Sequence, residues 1–103
     1  MTNTKNFFGI EVVNVENRDG LFVGIDVEGT IRYFNESGSF HRKNGPAVEC
    51  SNGNKFWWEN GKLHREDGPA AEYANGNKGY WYNDSEYIGI KTDEEWIALV
   101  KTL

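Results

Sequence analysis

The chain has 103 residues and a mass of 11.8 kDa, enough for one domain. Sixteen acidic residues against 11 basic ones leave a net charge of −5, and Leu, Ile, Val and Phe supply only 23 residues, so aromatic rings must carry a thin core. A single cysteine, Cys50, excludes a disulfide-stapled mini-protein and points to a reducing cytoplasm, and no apolar run is long enough to span a membrane.

Residues 1–15 read as an N-terminal arm or strand, too polar and too broken for a secretory signal. In the next segment, 16–40, Leu21, Val23, Ile25 and Val27 alternate with Phe22, Gly24, Asp26 and Glu28. A period of two is that of a half-buried strand.

Residues 41–63 and 64–86 then align without a gap, at a period of 23. His41-Arg42 falls on His64-Arg65, and Gly45-Pro46-Ala47 on Gly68-Pro69-Ala70. Glu49 falls on Glu72, Asn52-Gly53-Asn54-Lys55 on Asn75-Gly76-Asn77-Lys78, Trp58 on Trp81 and Asn60 on Asn83. The units are therefore 41–63 and 64–87, with a degenerate copy over 16–40. In that copy Asp19-Gly20 matches Asp67-Gly68, Glu28-Gly29-Thr30 lies near the Asn-Gly-Asn positions and Tyr33-Phe34-Asn35 near the aromatic strand.

Each unit reads as a β-hairpin. Asn52-Gly53 and Asn75-Gly76 have the residue types of a tight two-residue turn. Asn60-Gly61 marks a second turn, and the Gly-Pro pairs a third break. A two-residue turn would set Trp58 and Trp81 across from Ala47 and Ala70. These tryptophans are then core, with Trp57 and Tyr80 more exposed.

The last segment changes period. Thr92-Asp93-Glu94-Glu95 is a capping box, with Thr92 as N-cap. Trp96, Leu99, Val100 and Leu103 form one apolar stripe, so a short helix over 92–103 caps the array. The fold expected is mostly β: an antiparallel sheet of tandem 23-residue hairpins with a short C-terminal α-helix, in a single domain over 1–103.

The run Trp58-Glu59-Asn60-Gly61-Lys62-Leu63-His64, with Asp67-Gly68 and Tyr73-Ala74-Asn75-Gly76, resembles the MORN-type repeat. It is most similar to the variants with an H-R-x-D-G-P-A signature in small phage and bacterial proteins. The resemblance covers 41–87 well and 16–40 weakly. One departure is the missing glycine between the aromatics of the hairpin. The resemblance implies stacked hairpins that serve as a binding scaffold, and suggests an antagonist of a host defence system of the anti-CRISPR kind.

The residues themselves show no Ser-His-Asp spacing, paired carboxylates or phosphate loop, so no catalytic residue and no enzyme activity is expected. No cofactor is expected either. His41 and His64, the only histidines, stand one repeat apart, too far to share one metal ion, and read as structural. Charge is more informative. Residues 1–40 carry −3, 41–82 carry +1 and 83–103 carry −3. In the centre Arg42 aligns with Arg65 and Lys55 with Lys78 as two basic rows, interleaved with Trp57, Tyr80 and Tyr82. These residues, with Glu94 and Glu95 on the acidic flank, are the candidate partner-binding residues.

The partner expected is a host or phage protein. A homodimer fits the same aromatic pattern, and the overall acidity argues against direct nucleic-acid binding. Two alternatives remain at this point. One is a protein that sequesters a nucleotide between aromatic and Arg walls, and the other is a structural self-associating module.

Overall fold

A computed structural model describes residues 5–18 and 20–103. Twelve strands are defined among them: β1 (Lys5–Phe7), β2 (Ile10–Val12), β3 (Asn14–Arg18), β4 (Leu21–Ile25), β5 (Ile31–Phe34), β6 (Val48–Glu49), β7 (Lys55–Phe56), β8 (Trp58–Glu59), β9 (Lys62–Leu63), β10 (Ala71–Glu72), β11 (Lys78–Tyr82) and β12 (Ser85–Tyr87). One helix follows, α1 (Asp93–Val100). The fold is thus mostly β. Eight strands make one antiparallel sheet in the order β12-β11-β10-β7-β6-β5-β4-β3. The hairpins β1-β2 and β8-β9 stand off it. The molecule is elongated, at 48 × 29 × 19 Å, as expected when each hairpin contacts its neighbours in a row. The match of Asp19-Gly20 to Asp67-Gly68 involves Asp19, which lies outside the described residues, as do residues 1–4 of the N-terminal arm.

The hydrogen bonds repeat with the sequence. Cys50 N–H donates to Asn54 O and Gly53 N–H to Cys50 O, and one period later Tyr73 N–H donates to Asn77 O and Gly76 N–H to Tyr73 O. The same pair occurs upstream, from Asp26 N–H to Thr30 O and Gly29 N–H to Asp26 O. Neighbouring turns are also tied by side chains: Thr30 Oγ1 accepts from Ser51 N–H at 3.2 Å, and Asn54 Oδ1 from Ala74 N–H at 2.8 Å.

These bonds correct the turn geometry. Gly53 and Gly76 have positive φ, of 99° and 92°, whereas Asn52 and Asn75 do not. The connection is a turn closed by a glycine bulge, not a two-residue turn. The pair of left-handed residues sits at the other turn instead: Asn60 (φ 50°) with Gly61 (φ 80°), and Asn83 (φ 47°) with Asp84 (φ 69°).

The bulge shifts the register by one residue, which exchanges the faces of a strand. Glu49 pairs with Lys55 and Val48 with Phe56, and Ala47 N–H also donates to Phe56 O, so Ala47 is not set across from Trp58. In the second unit Ala71 pairs with Gly79, which sets Ala70 across from Tyr80 rather than Trp81. Trp58 and Trp81 are accordingly only half-buried, and Tyr80 is 7% exposed. The expectation of an exposed Tyr80 is wrong for this reason.

Buried side chains run along the sheet. Val23, Tyr33 and Ala47 pack together, with Leu21, Ile25, Ile31, Phe40 and Trp58 against them. At the N-terminal end Phe7 lies 5.3 Å from the Phe34 ring and 6.1 Å from Phe22. At the other end α1 closes the array. Thr92 is its N-cap and accepts from Glu95 N–H at 3.1 Å. Trp96 is fully buried between Tyr80 and Tyr87, with ring centroids 5.5 and 5.3 Å away. Its indole N–H donates to Arg65 O at 2.7 Å, and Tyr80 donates its hydroxyl to Asp93 at 2.8 Å. Leu103, counted in the apolar stripe, is exposed.

Candidate functional site

The loops that carry His-Arg-x-x-Gly-Pro-Ala in the two units lie side by side. Between them is a groove of about 590 Å³, lined by Arg42, Lys43, Asn44 and Gly45 of the first loop and His64, Arg65, Glu66 and Asp67 of the second, with Trp57 and Glu59.

The motif spacing has a physical basis in both loops. Arg65 lays its guanidinium over the Trp57 ring at 4.0 Å and turns back to donate to Pro69 O at 3.1 Å. Arg42 covers the Tyr33 ring at 4.1 Å and donates to Pro46 O at 3.2 Å. Arginine suits this place because its flat cation stacks on a ring while its edge donates. The glycine three residues on lets the backbone come close. A Cβ on Gly68 would lie 2.9 Å from Arg65 Cζ, and one on Gly45 would lie 3.0 Å from Arg42 Nη1.

The histidines have an equally regular role that sequence reasoning did not identify. His41 Nδ1 accepts from Asn60 N–H at 3.0 Å, and His64 Nδ1 from Asn83 N–H at 3.1 Å. Each ring thereby satisfies an amide in the left-handed turn that lies 19 residues ahead. The signal available in the sequence was the paired column itself, His41 with His64 and Asn60 with Asn83.

His64 is buried, and its Nε2 faces Glu66 at 3.2 Å and Glu59 at 3.5 Å. Among the described residues, Glu59, His64 and Glu66 form a group whose ligand atoms lie within 4.8 Å of one another. The donor set does not suit a metal. Because Nδ1 accepts an N–H, neutral His64 holds its proton on Nε2. A metal-ligating histidine instead donates from its second ring nitrogen. Glu59 and Glu66 are therefore acceptors around the Nε2 proton.

The two arginines differ in how their remaining donors are met. Arg65 Nε donates to Asp67 at 3.0 Å, and its Nη1 reaches Glu72 at 3.0 Å. Arg42 has Asn44 where Arg65 has Asp67, and Glu49 stands 3.9 Å from its Nη1. Arg42 Nε is buried and has no hydrogen-bond partner among the described residues.

The structure thus brings Arg42, Trp57 and Arg65 to one groove and leaves the other expected site residues elsewhere. Tyr80 is sealed under α1 and is no surface anchor. Tyr82 is half-buried, its ring 4.7 Å from that of His64. Lys55 and Lys78 are exposed, but they do not make a basic row. In register they alternate with acids, as Glu49, Lys55, Glu72 and Lys78. Nor do Arg42 and Arg65 form a free cationic row, since rings and backbone carbonyls hold both. Glu94 and Glu95 are exposed on the first turn of α1, away from the groove lining.

No helix among the described residues is long and apolar enough to cross a membrane. In comparisons with known proteins, no family model matches the chain, and neither does a curated protein or a solved structure.

Proposed function

We propose that this chain is a non-enzymatic binding protein of the MORN-like tandem-hairpin kind, acting in the cytoplasm by stoichiometric contact with another protein. The observation that carries this reading is the groove between the repeat loops, which holds Trp57, Arg42 and Arg65 between Lys43 on one wall and Glu59, Glu66 and Asp67 on the other. Trp and Arg dominate the energetics of protein interfaces. Adjacent patches of opposite sign set partner choice and association rate. The groove side chains are also held by bonds that hold the hairpins, which suits a rigid recognition surface.

The nucleotide-sequestering alternative needs free ring faces for stacking. Arg65 already covers one face of Trp57, and Arg42 covers Tyr33. Protein binding is the reading favoured by that arrangement. The partner proposed is a host defence nuclease complex. Its basic nucleic-acid surface would complement the −3 segments that flank the centre.

The test is a mixing experiment with such a complex, read by light scattering and by nuclease activity. A complex of fixed stoichiometry that inhibits the nuclease, and that Lys43→Glu weakens while circular dichroism stays unchanged, supports the proposal. Binding that Lys43→Glu leaves intact moves the interface away from the groove. Heat on titration with nucleotides, and none with protein, overturns the reading.

A further inference from the structure

We propose that Arg42 is a socket for a carboxylate brought by the ligand, at the basic wall of the groove. The inference rests on the groove being the binding surface, and does not require the ligand to be a protein.

The second unit supplies the template. Arg65 and Arg42 stack alike on a ring and donate alike to a proline carbonyl. Arg65 completes its set with a carboxylate, Asp67 Oδ1, at 3.0 Å from Nε. At the matching place the first unit has Asn44, and Arg42 Nε is left buried without a partner among the described residues. A desolvated donor on a cation is costly when unmet, and a carboxylate is its strongest partner.

The surroundings point the same way. Lys43 replaces Glu66 in the adjacent position, so this wall gains a cation where the second loop has an acid. Asn44 and Lys43 are both exposed, and both line the groove beside Arg42. Glu49, at 3.9 Å from Nη1, lies beyond hydrogen-bond reach and does not serve Nε. The ligand chemistry that fits is one carboxylate beside Arg42 and Lys43, of the size of an Asp or Glu side chain.

The Nε–H resonance of Arg42 reports on this site directly, with that of Arg65 as an internal reference. The probe is N-acetyl-aspartate N-methylamide, whose only charge is its side-chain carboxylate, and the control is the matching asparagine derivative. In the free protein the Arg42 resonance is expected upfield of that of Arg65. The aspartate probe moves it toward the Arg65 position at millimolar concentration, and the asparagine probe does not.

Asn44→Asp builds the missing carboxylate into the chain. It is expected to place the Arg42 resonance at the Arg65 position without any probe, and to weaken probe binding ~10-fold or more. An Arg42 resonance that ignores the aspartate probe, or that answers both probes equally, overturns the proposal. So does an Asn44→Asp variant whose Arg42 signal and probe affinity are those of the parent. If the probe binds as expected but no nuclease complex does, the socket stands and the protein-partner reading falls.

Discussion

The two complete repeats share the atoms that hold backbone and differ in those that hold charge. His41 and His64 both accept from a turn amide, and Arg42 and Arg65 both donate to a proline carbonyl. Between Arg and Gly, however, the first loop reads Lys43-Asn44 and the second Glu66-Asp67. Two substituted positions turn equivalent loops into a basic wall and an acidic wall facing across one groove. Where a side chain satisfies backbone, changing it disturbs the hairpin. The two positions between the arginine and the glycine carry no such duty, and there the copies are free to diverge.

The comparison can be broken most severely at the element that only the second unit has. Trp96→Ala removes a fully buried ring from between Tyr80 and Tyr87 and is expected to cost ~3–5 kcal/mol by denaturant midpoint. Trp81→Ala, at a half-buried site, costs less. Equal losses would mean that the bulged register described above is wrong.

The ends of the array should also fail at opposite ends of the pH scale. Burial, aided by the hydrogen bond to Asp93, raises the Tyr80 hydroxyl to about 12, above its ordinary value near 10. The unfolded chain loses this proton first. The contribution is therefore whole below pH ~10 and lost as pH rises toward the folded value. Tyr80→Phe flattens the stability curve in that window.

Asp26 behaves oppositely. Burial pushes its carboxyl up, but Arg32 and the N–H groups of Thr30 and Glu28 together outweigh that and hold it below its ordinary range. Its contribution is present above the ordinary carboxylate value and is lost as pH falls through the folded one. Asp26→Asn removes that acid-side slope, as thermal unfolding against pH will show.

The histidine columns give a smaller contrast. His64 is buried and His41 half-buried, so His64→Ala is expected to cost ~1–3 kcal/mol and His41→Ala less. Smaller still is Asp67→Asn, which gives the second loop the residue of the first. Asp67 is 80% exposed, so the loss should stay below ~1 kcal/mol while the Arg65 Nε–H resonance moves toward that of Arg42.

Much of the architecture was legible because it rests on local chemistry. The 23-residue period, the turn positions and the capping box at Thr92 are all properties of short stretches. Register was not, because an Asn-Gly pair serves both a two-residue turn and a bulged one. Choosing between them depends on which amide meets the Cys50 and Tyr73 carbonyls, a matter of backbone path. That single residue of difference moved Tyr80 from the surface to the core.

At the site, the aromatic and arginine residues were visible in the sequence. Their mutual satisfaction was not, since Arg65 stacking on Trp57 and Arg42 on Tyr33 joins neighbouring units. The basic rows failed for a related reason. Reading down a column places Lys55 beside Lys78, whereas the sheet sets Glu72 between them.

The ties between successive hairpins run both ways along the chain. Thr30 and Asn54 accept from Ser51 and Ala74 of the next copy. Leu63 N–H and Trp57 N–H instead donate forward, to Asp84 Oδ1 and Ala70 O of the next copy. A hairpin that has already formed therefore presents both donors and acceptors to the one that follows. The protein is suited to being laid down in order as it leaves the ribosome, each copy templating the next. A chain of near-identical strands that waited until synthesis was complete would risk joining the wrong copies, the characteristic failure of repeat proteins.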